Sequence, residues 1–210
     1  NVFNPWRDQC AVCDRSDAPS LRRENLRLFL ERALEVDAAT MWIGRDLGYR
    51  GGRRTGVPLT DEVHLASASA LMGDITLVRA TEGPVVAERT AAVVWSVLRR
   101  VQRPTMLWNV FPFHPHVAED PMSNRPHTRV ERDATWPLLE ALIEMVQPAR
   151  IVAIGRDASQ ALADLGVACD AVRHPSYGGQ AEFVAGMHAL YDVVDAQLSF
   201  GGLEPPSMLN

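Results

Sequence analysis

The segment Ile151-Val152-Ala153-Ile154-Gly155, together with the amphipathic stretch 157–165 that follows it, decides the fold. Three of its first four residues are β-branched and none is polar, which predicts a short strand buried on both faces. Gly155 ends the strand, and the helical spacing of apolar residues in 157–165 predicts a helix. The segment is therefore typical of a strand whose following helix covers a parallel sheet.

Similar apolar runs occur at Thr40-Met41-Trp42-Ile43 and at 105–108, and Ala171-Val172 predicts a short fourth strand. Amphipathic stretches alternate with these runs, which is typical of parallel strands with helices on both faces. The predicted fold class is α/β, a single three-layer αβα domain with a central four-stranded, mainly parallel sheet.

The 210 residues are enough for one full-sized domain and few for two, and neither a repeat nor a linker divides them. Residues 1–210 are predicted as one domain, with an irregular N-terminal arm at 1–19 and a loose tail at 200–210. Residues 75–78 could add an edge strand. The predicted helices cover 20–36, 86–101, 133–146, 157–165 and 180–198.

The composition, with 47% hydrophobic and 22% charged residues, is ordinary for a globular protein. No apolar run predicts a membrane span or a signal peptide, and three cysteines fit a reducing compartment, so we expect a cytoplasmic monomer. All 21 basic residues are arginine, and the net charge is −5. The lack of lysine excludes Schiff-base chemistry and a phosphate-binding P-loop lysine.

Ligands of parallel α/β sheets bind at the carboxyl ends of the strands, so the loops after three predicted strands should form one site. These loops contribute a carboxylate from Asp46, an amide from Asn109 and an imidazole from His174. A carboxylate can orient water or stabilise an oxocarbenium-like centre, and an imidazole can donate to a leaving anion. An asparagine offers the donor and acceptor that match a nucleobase edge.

These segments resemble the motifs of the uracil-DNA glycosylase superfamily, and the resemblance extends over residues 40 to 190. That superfamily has Gly-x-Asp-Pro-Tyr-His or Gly-x-x-Pro-Gly after its first strand, an Asn at a strand end and a late His-Pro-Ser. The corresponding residues are 44–49, Asn109 and His174-Pro175-Ser176. The resemblance implies that Asp46 positions water and stabilises the cationic sugar, Asn109 reads uracil, and His174 stabilises the uracil anion. It also places Gly44 and Ser176 in the substrate site.

The sequence departs from the family pattern at the base-binding positions. Leu59 stands where the family has a stacking Phe, which leaves Phe111 or Phe113 for that role. Tyr49 lies one residue later than the tyrosine that excludes the thymine methyl group, and Leu47 replaces a proline. The resemblance therefore points to an atypical branch of the superfamily.

The loop after His-Pro-Ser has Gly178 in place of the usual wedge leucine, so Tyr177 or Gln180 would fill the space of a flipped base. For the same reason we expect no inhibition by the phage protein that binds the wedge leucine. The predicted contacts to DNA phosphates come from five arginines, Arg45, Arg50, Arg53, Arg54 and Arg173.

The resemblance implies a glycosylase that flips uracil out of single- or double-stranded DNA and hydrolyses its N-glycosidic bond, leaving an abasic site. Without lysine it would be monofunctional. The alternatives are a glycosylase for hypoxanthine or xanthine, a silent protein that binds uracil or abasic DNA, and a hydrolase of nucleosides or nucleotides.

Cys10 and Cys13 form a Cys-x-x-Cys pair, and some members of the superfamily hold an iron–sulfur cluster on four cysteines. Cys169 is the one further cysteine in the chain, so a cluster on four cysteines is incomplete, and a metal site would need a histidine such as His114 to complete it. We expect two free thiols, no metal and no cofactor.

Overall fold

The computed structural model describes residues 1–73 and 75–193. Its central sheet has four parallel strands in the order Thr105–Phe111, Thr40–Asp46, Arg150–Ile154 and Asp170–Val172, which confirms the predicted fold class. The strands are β1 (Val2–Phe3), β2 (Thr40–Asp46), β3 (Thr105–Phe111), β4 (His114–Pro115), β5 (Arg150–Ile154) and β6 (Asp170–Val172).

Helices flank this sheet: Ala18–Glu35 packs against Trp136–Val146, and Arg89–Val101 packs against Gln180–Tyr191. The helices are α1 (Ala18–Glu35), α2 (Gly52–Thr55), α3 (Leu65–Leu71), α4 (Arg89–Val101), α5 (Arg129–Asp133), α6 (Trp136–Val146), α7 (Arg156–Asp164) and α8 (Gln180–Tyr191), with a 3-10 turn at Glu62–His64. The tail predicted at 200–210 and the end of the helix predicted at 180–198 lie outside the described residues.

The centre of β2 explains why both faces of the sheet are covered. Met41, Trp42 and Ile43 have no exposed surface, although successive side chains of a strand point to opposite faces. A strand that is apolar on both faces needs a layer on each side to remove it from water.

The N-terminal arm is more ordered than its sequence predicts. β1 pairs antiparallel with β4, and the buried guanidinium of Arg22 on α1 forms an ion pair with Asp14, with 2.8 Å between Nη2 and Oδ2. Residues 75–78 contribute no strand; instead the Val78 N–H donates to Asn25 Oδ1 at 2.8 Å.

The polar stretches that flank the central strands are also more structured than predicted. The region 44–62 contains α2, and the region 109–132 contains β4 and the beginning of α5. β2 and β3 each continue three residues past the ends predicted at Ile43 and Trp108. Gly44, Asp46, Asn109 and Phe111 therefore lie on strands, which fixes their backbone in the sheet ladder.

The loop after β2 rests on Glu88, the residue before α4. A Cβ atom at Gly48 would lie 2.1 Å from Glu88 Oε1, and one at Gly51 would lie 2.2 Å from Oε2, so only glycine allows this approach. Burial raises the pKa of Glu88 to about 7, and the charges of Asp61 and Asp46 act in the same direction against that of Arg50.

The Glu88→Gln variant tests whether the Glu88 carboxyl group is protonated in the folded protein. The folded protein keeps the proton up to about pH 7, whereas the unfolded chain releases it near the ordinary value of 4.5. Stability from this group is therefore present at low pH and is lost as the pH rises through the folded pKa. We expect the free energy of unfolding, measured by urea titration, to fall from pH 5 to pH 8 by more in the wild type than in Glu88→Gln. Equal slopes in the two proteins would contradict this account.

A second test concerns the hydrogen bond between β2 and α8, in which the buried Trp42 Nε1–H donates to the Tyr191 hydroxyl at 2.6 Å. Tyr191→Phe leaves this donor without its acceptor, and we expect the free energy of unfolding to fall by about 1–3 kcal/mol. Tyr177→Phe, at a residue 97% exposed, is the matched control. If urea titrations gave similar free energies of unfolding for the two variants, the buried hydrogen bond would contribute nothing to stability.

Candidate functional site

The register between β2 and β3 brings the candidate side chains to one face of the sheet. Gly44 pairs with Asn109, and Asp46 pairs with Phe111. Residues two apart on a strand share a face, so these four residues lie on the same side at the carboxyl end of the sheet. This is the edge at which α/β proteins bind their ligands.

The amide of Asn109 is buried without a hydrogen-bond partner. The residue is 1% exposed, and neither Oδ1 nor Nδ2 has a partner among residues 1–73 and 75–193. Burying an unsatisfied amide costs about 1–3 kcal/mol, and such groups are rare in folded proteins. Asn109 is thus prepared to exchange one donor and one acceptor with a ligand.

Gly44 and Leu59 form the wall beside this amide. A Cβ atom at Gly44 would lie 2.5 Å from Asn109 Oδ1 and 3.0 Å from Leu59 Cδ2. Leu59 has a positive φ of 56°, a strained conformation for a non-glycine residue that costs about 1–3 kcal/mol. Leu59 therefore lies close to Gly44 and the amide, and it supplies an aliphatic surface.

Asp46, the last residue of β2, contacts two cationic or titratable side chains. Arg45 Nε donates to its Oδ2 at 2.9 Å, and His127 Nδ1 lies 3.3 Å from the same oxygen. Arg45 also reaches Asp157 at the start of α7 at 3.1 Å, which connects the end of β2 with the segment after β5.

The ring of His174 has a defined tautomer. The Ser176 backbone N–H donates to His174 Nδ1 at 3.1 Å, so Nδ1 is an acceptor and the proton of the neutral ring is on Nε2. The Ser176 hydroxyl also lies 2.7 Å from Nδ1. Burial lowers the pKa of His174, and the charges of Arg45 and Arg173 lower it further against the effect of Asp46 and Asp157.

The backbone brings His174 to the same edge as Asp46. Gly155, directly after β5, has a φ of 93°, and a Cβ atom there would lie 3.0 Å from His174 Cβ. β5 lies between β2 and β6, so Asp46 at the end of β2 and His174 in the loop after β6 lie on either side of β5. The structure therefore brings the carboxylate, the amide and the imidazole to the carboxyl ends of four adjacent strands.

The predicted aromatic residues have different environments. Phe111 is buried and packs edge-on against Phe113. The centroid of the Phe111 ring also lies 5.3 Å from that of the His127 ring, with the two planes tilted. The Tyr49 backbone N–H donates to Asn124 Oδ1, and the Tyr49 hydroxyl accepts a bond from Arg50 at 2.8 Å. Phe111 is thus part of the wall beside Asp46, whereas Tyr49 is half-buried in the loop after β2.

Two of the five predicted phosphate contacts are wrong in this structure, because Arg53 and Arg54 are 3% and 5% exposed. Arg53 stacks on the Phe3 ring at 4.1 Å and bonds to His114 Nδ1. Arg54 forms an ion pair with Glu62. Both guanidinium groups hold the loop after β2 together, and they have no surface left for a phosphate.

The other predicted contact residues lie at the surface. Arg50, Arg173 and Gln180 are exposed. Arg45 is half-buried, and its guanidinium group contacts two carboxylates. Tyr177 is 97% exposed and has a φ of 51°, so its ring projects into solvent directly after Ser176.

His127 was not predicted from the sequence. It lies in the proline-containing loop after β4, where no periodicity marks it. The capping box formed by Thr128 and Glu131 at the beginning of α5 was the available signal, since it fixes the backbone next to His127.

In the described part of the chain, no group of three or more His, Cys, Asp and Glu residues could hold a metal ion. No helix there is long and apolar enough to cross a membrane.

Neither a protein-family model nor a curated protein matches the sequence. Among solved structures, the chain is similar to the crystal structure of wild-type Pedobacter heparinus SMUG2, with 12% sequence identity and a TM-score of 0.60. The match covers 91% of this chain and 88% of that chain. At this identity the comparison shows that the two chains share a fold, and it shows no more than that.

Proposed function

We propose that this protein is a DNA glycosylase that hydrolyses the N-glycosidic bond of uracil. The observation that carries the proposal is the buried amide of Asn109, which has no protein partner among the described residues. The fold shared with SMUG2, a member of the uracil-DNA glycosylase superfamily, supports it, as do the three sequence motifs.

Base recognition follows from the chemistry of Asn109. Its Oδ1 accepts from uracil N3–H while Nδ2 donates to uracil O4, which satisfies both orphaned atoms at once. Cytosine presents the opposite pattern, an acceptor at N3 and a donor at C4. Leu59 and the wall containing Phe111 enclose the flat ring.

Leaving-group stabilisation is assigned to His174. Its lowered pKa keeps the ring neutral near pH 7, and the bond from Ser176 to Nδ1 leaves Nε2–H as the donor. Negative charge develops on uracil O2 as the glycosidic bond breaks. A fixed donor at that position stabilises the anion more in the transition state than in the ground state.

Asp46 faces the developing positive charge on the sugar and orients the attacking water. Arg45 Nε and the His127 backbone N–H both donate to its Oδ2, which leaves Oδ1 for the water. Since the chain has no lysine, no lysine amine can form a Schiff base with the opened sugar, and the expected product is an abasic site.

The DNA contact is local, since the net charge of −5 opposes general attraction to phosphates. Arg50 and Arg173 offer exposed guanidinium groups, and the projecting ring of Tyr177 fills the gap that a flipped base leaves in the stack. A single-stranded substrate has no base-pair stack to fill, so it depends less on Tyr177, and it is included in the test.

The test uses labelled oligonucleotides with one uracil, single-stranded or paired with guanine, followed by alkaline cleavage of abasic sites. We expect cleavage only after the alkali step. We expect Asp46→Asn and His174→Ala each to reduce the single-turnover rate by about 100-fold or more. Glu119→Gln, at an exposed carboxylate, and His116→Ala are the matched controls and should retain the wild-type rate.

Oligonucleotides with hypoxanthine, xanthine and thymine are run in parallel. Cleavage at hypoxanthine or xanthine and not at uracil would reject uracil as the substrate. No cleavage at any base would reject the glycosylase assignment, and rates within tenfold of wild type in both variants would reject the roles of Asp46 and His174.

A further inference from the structure

Cys10 and Cys13 lie in one tight turn of the N-terminal arm. The Asp14 N–H donates to the Cys10 carbonyl at 3.1 Å, and the Cys10 N–H donates to Asp14 Oδ2 at 2.8 Å. Residues three apart in such a turn have Cα atoms within about 7 Å, which is the range that a disulfide can bridge without backbone movement. Both residues are free thiols in this structure.

The turn is anchored on both sides. Asp14 forms the buried ion pair with Arg22, and the Cys13 carbonyl accepts from the Glu82 N–H at 2.8 Å. Cys10 is 7% exposed, while Cys13 is half-buried. The rigid turn therefore holds one sheltered sulfur next to one that solvent reaches more easily.

The surroundings distinguish the two thiols. Burial alone would raise the pKa of Cys10, but backbone N–H groups of Val12 and Cys13, the Cys13 thiol and the charge of Arg53 together lower it below its ordinary value. The pKa of Cys13 is raised to about 11, mainly by burial, against the charge of Arg54. Cys10 is therefore the thiol of the pair that gives up its proton more readily.

We propose that Cys10 and Cys13 form a dithiol that a hydroperoxide converts into an intramolecular disulfide and that small thiols reduce again. A metal is a poorer fit, since no third ligand joins the two sulfurs among the described residues. The site is independent of the proposed glycosylase activity.

The reaction balances in two steps. The Cys10 thiolate attacks one oxygen of the hydroperoxide, the O–O bond breaks, and the departing oxide takes a proton, which gives a sulfenic acid at Cys10. The sulfur of Cys13 then attacks the sulfenic sulfur, the S–O bond breaks, and water leaves as the S–S bond forms. The two thiols lose two electrons and two protons, and the peroxide is reduced.

Oxidation changes the support of the loop after β2. Arg53, which stacks on Phe3 and bonds to His114, is the cationic neighbour of Cys10. A disulfide has no ionisable thiol, so oxidation removes the group with which Arg53 interacts. We therefore expect the thermal midpoint of the oxidised protein to differ from that of the reduced protein.

The experiment treats the full chain with hydrogen peroxide, quenches with catalase, alkylates the remaining thiols and maps them by mass spectrometry. We expect a product two hydrogens lighter in which Cys10 and Cys13 resist alkylation, Cys169 is still alkylated, and dithiothreitol reverses the change. Cys169→Ser, the matched control, should behave like the wild type at the pair.

Two variants test the order of the steps. Cys13→Ser should accumulate a sulfenic acid at Cys10 that dimedone traps, and Cys10→Ser should slow oxidation of Cys13 at least tenfold. Oxidation of Cys169 as readily as of the pair, or peroxide products that carry no Cys10–Cys13 bond, would overturn the proposal. The wild-type experiment alone is decisive if a variant fails to fold.

Discussion

The pairing of Gly44 with Asn109 between β2 and β3 is the constraint on which the site depends. No side chain fits at Gly44, because a Cβ atom would lie 2.5 Å from the Asn109 oxygen. The amide can therefore occupy the space above β2 without a protein partner. The same register then fixes Asp46 opposite Phe111, two residues further along each strand.

The arrangement of charges around this pair suits a reaction in which a neutral bond separates into opposite charges. Arg45 connects Asp46 with Asp157, and burial helps to keep His174 uncharged. A carboxylate held on one side and a neutral donor on the other need little reorganisation as the bond breaks. The orphaned amide and the strained Leu59 are costs in stability that a ligand-binding function explains.

The sequence predicted the features that depend on local pattern. Apolar runs identified the four strands of the central sheet, and the rule that ligands bind at strand ends placed Asp46, Asn109 and His174 together. The burial of Arg53 and Arg54 could not be predicted, because their partners Phe3 and Glu62 are distant in sequence or belong to other elements. Solvent exposure of an arginine in a polar loop is set by such long-range contacts, which residue spacing does not encode.

The central claim is that the Asn109 amide reads the edge of uracil, and NMR tests it in the wild-type protein with free bases. The Asn109 side-chain NH₂ signal in ¹⁵N-labelled protein is assigned by its loss in Asn109→Leu. We predict that uracil shifts this signal to saturation and that 3-methyluracil, which lacks the N3–H donor, does not. An Asn109 signal that both bases shift equally, or that neither shifts, would contradict the account.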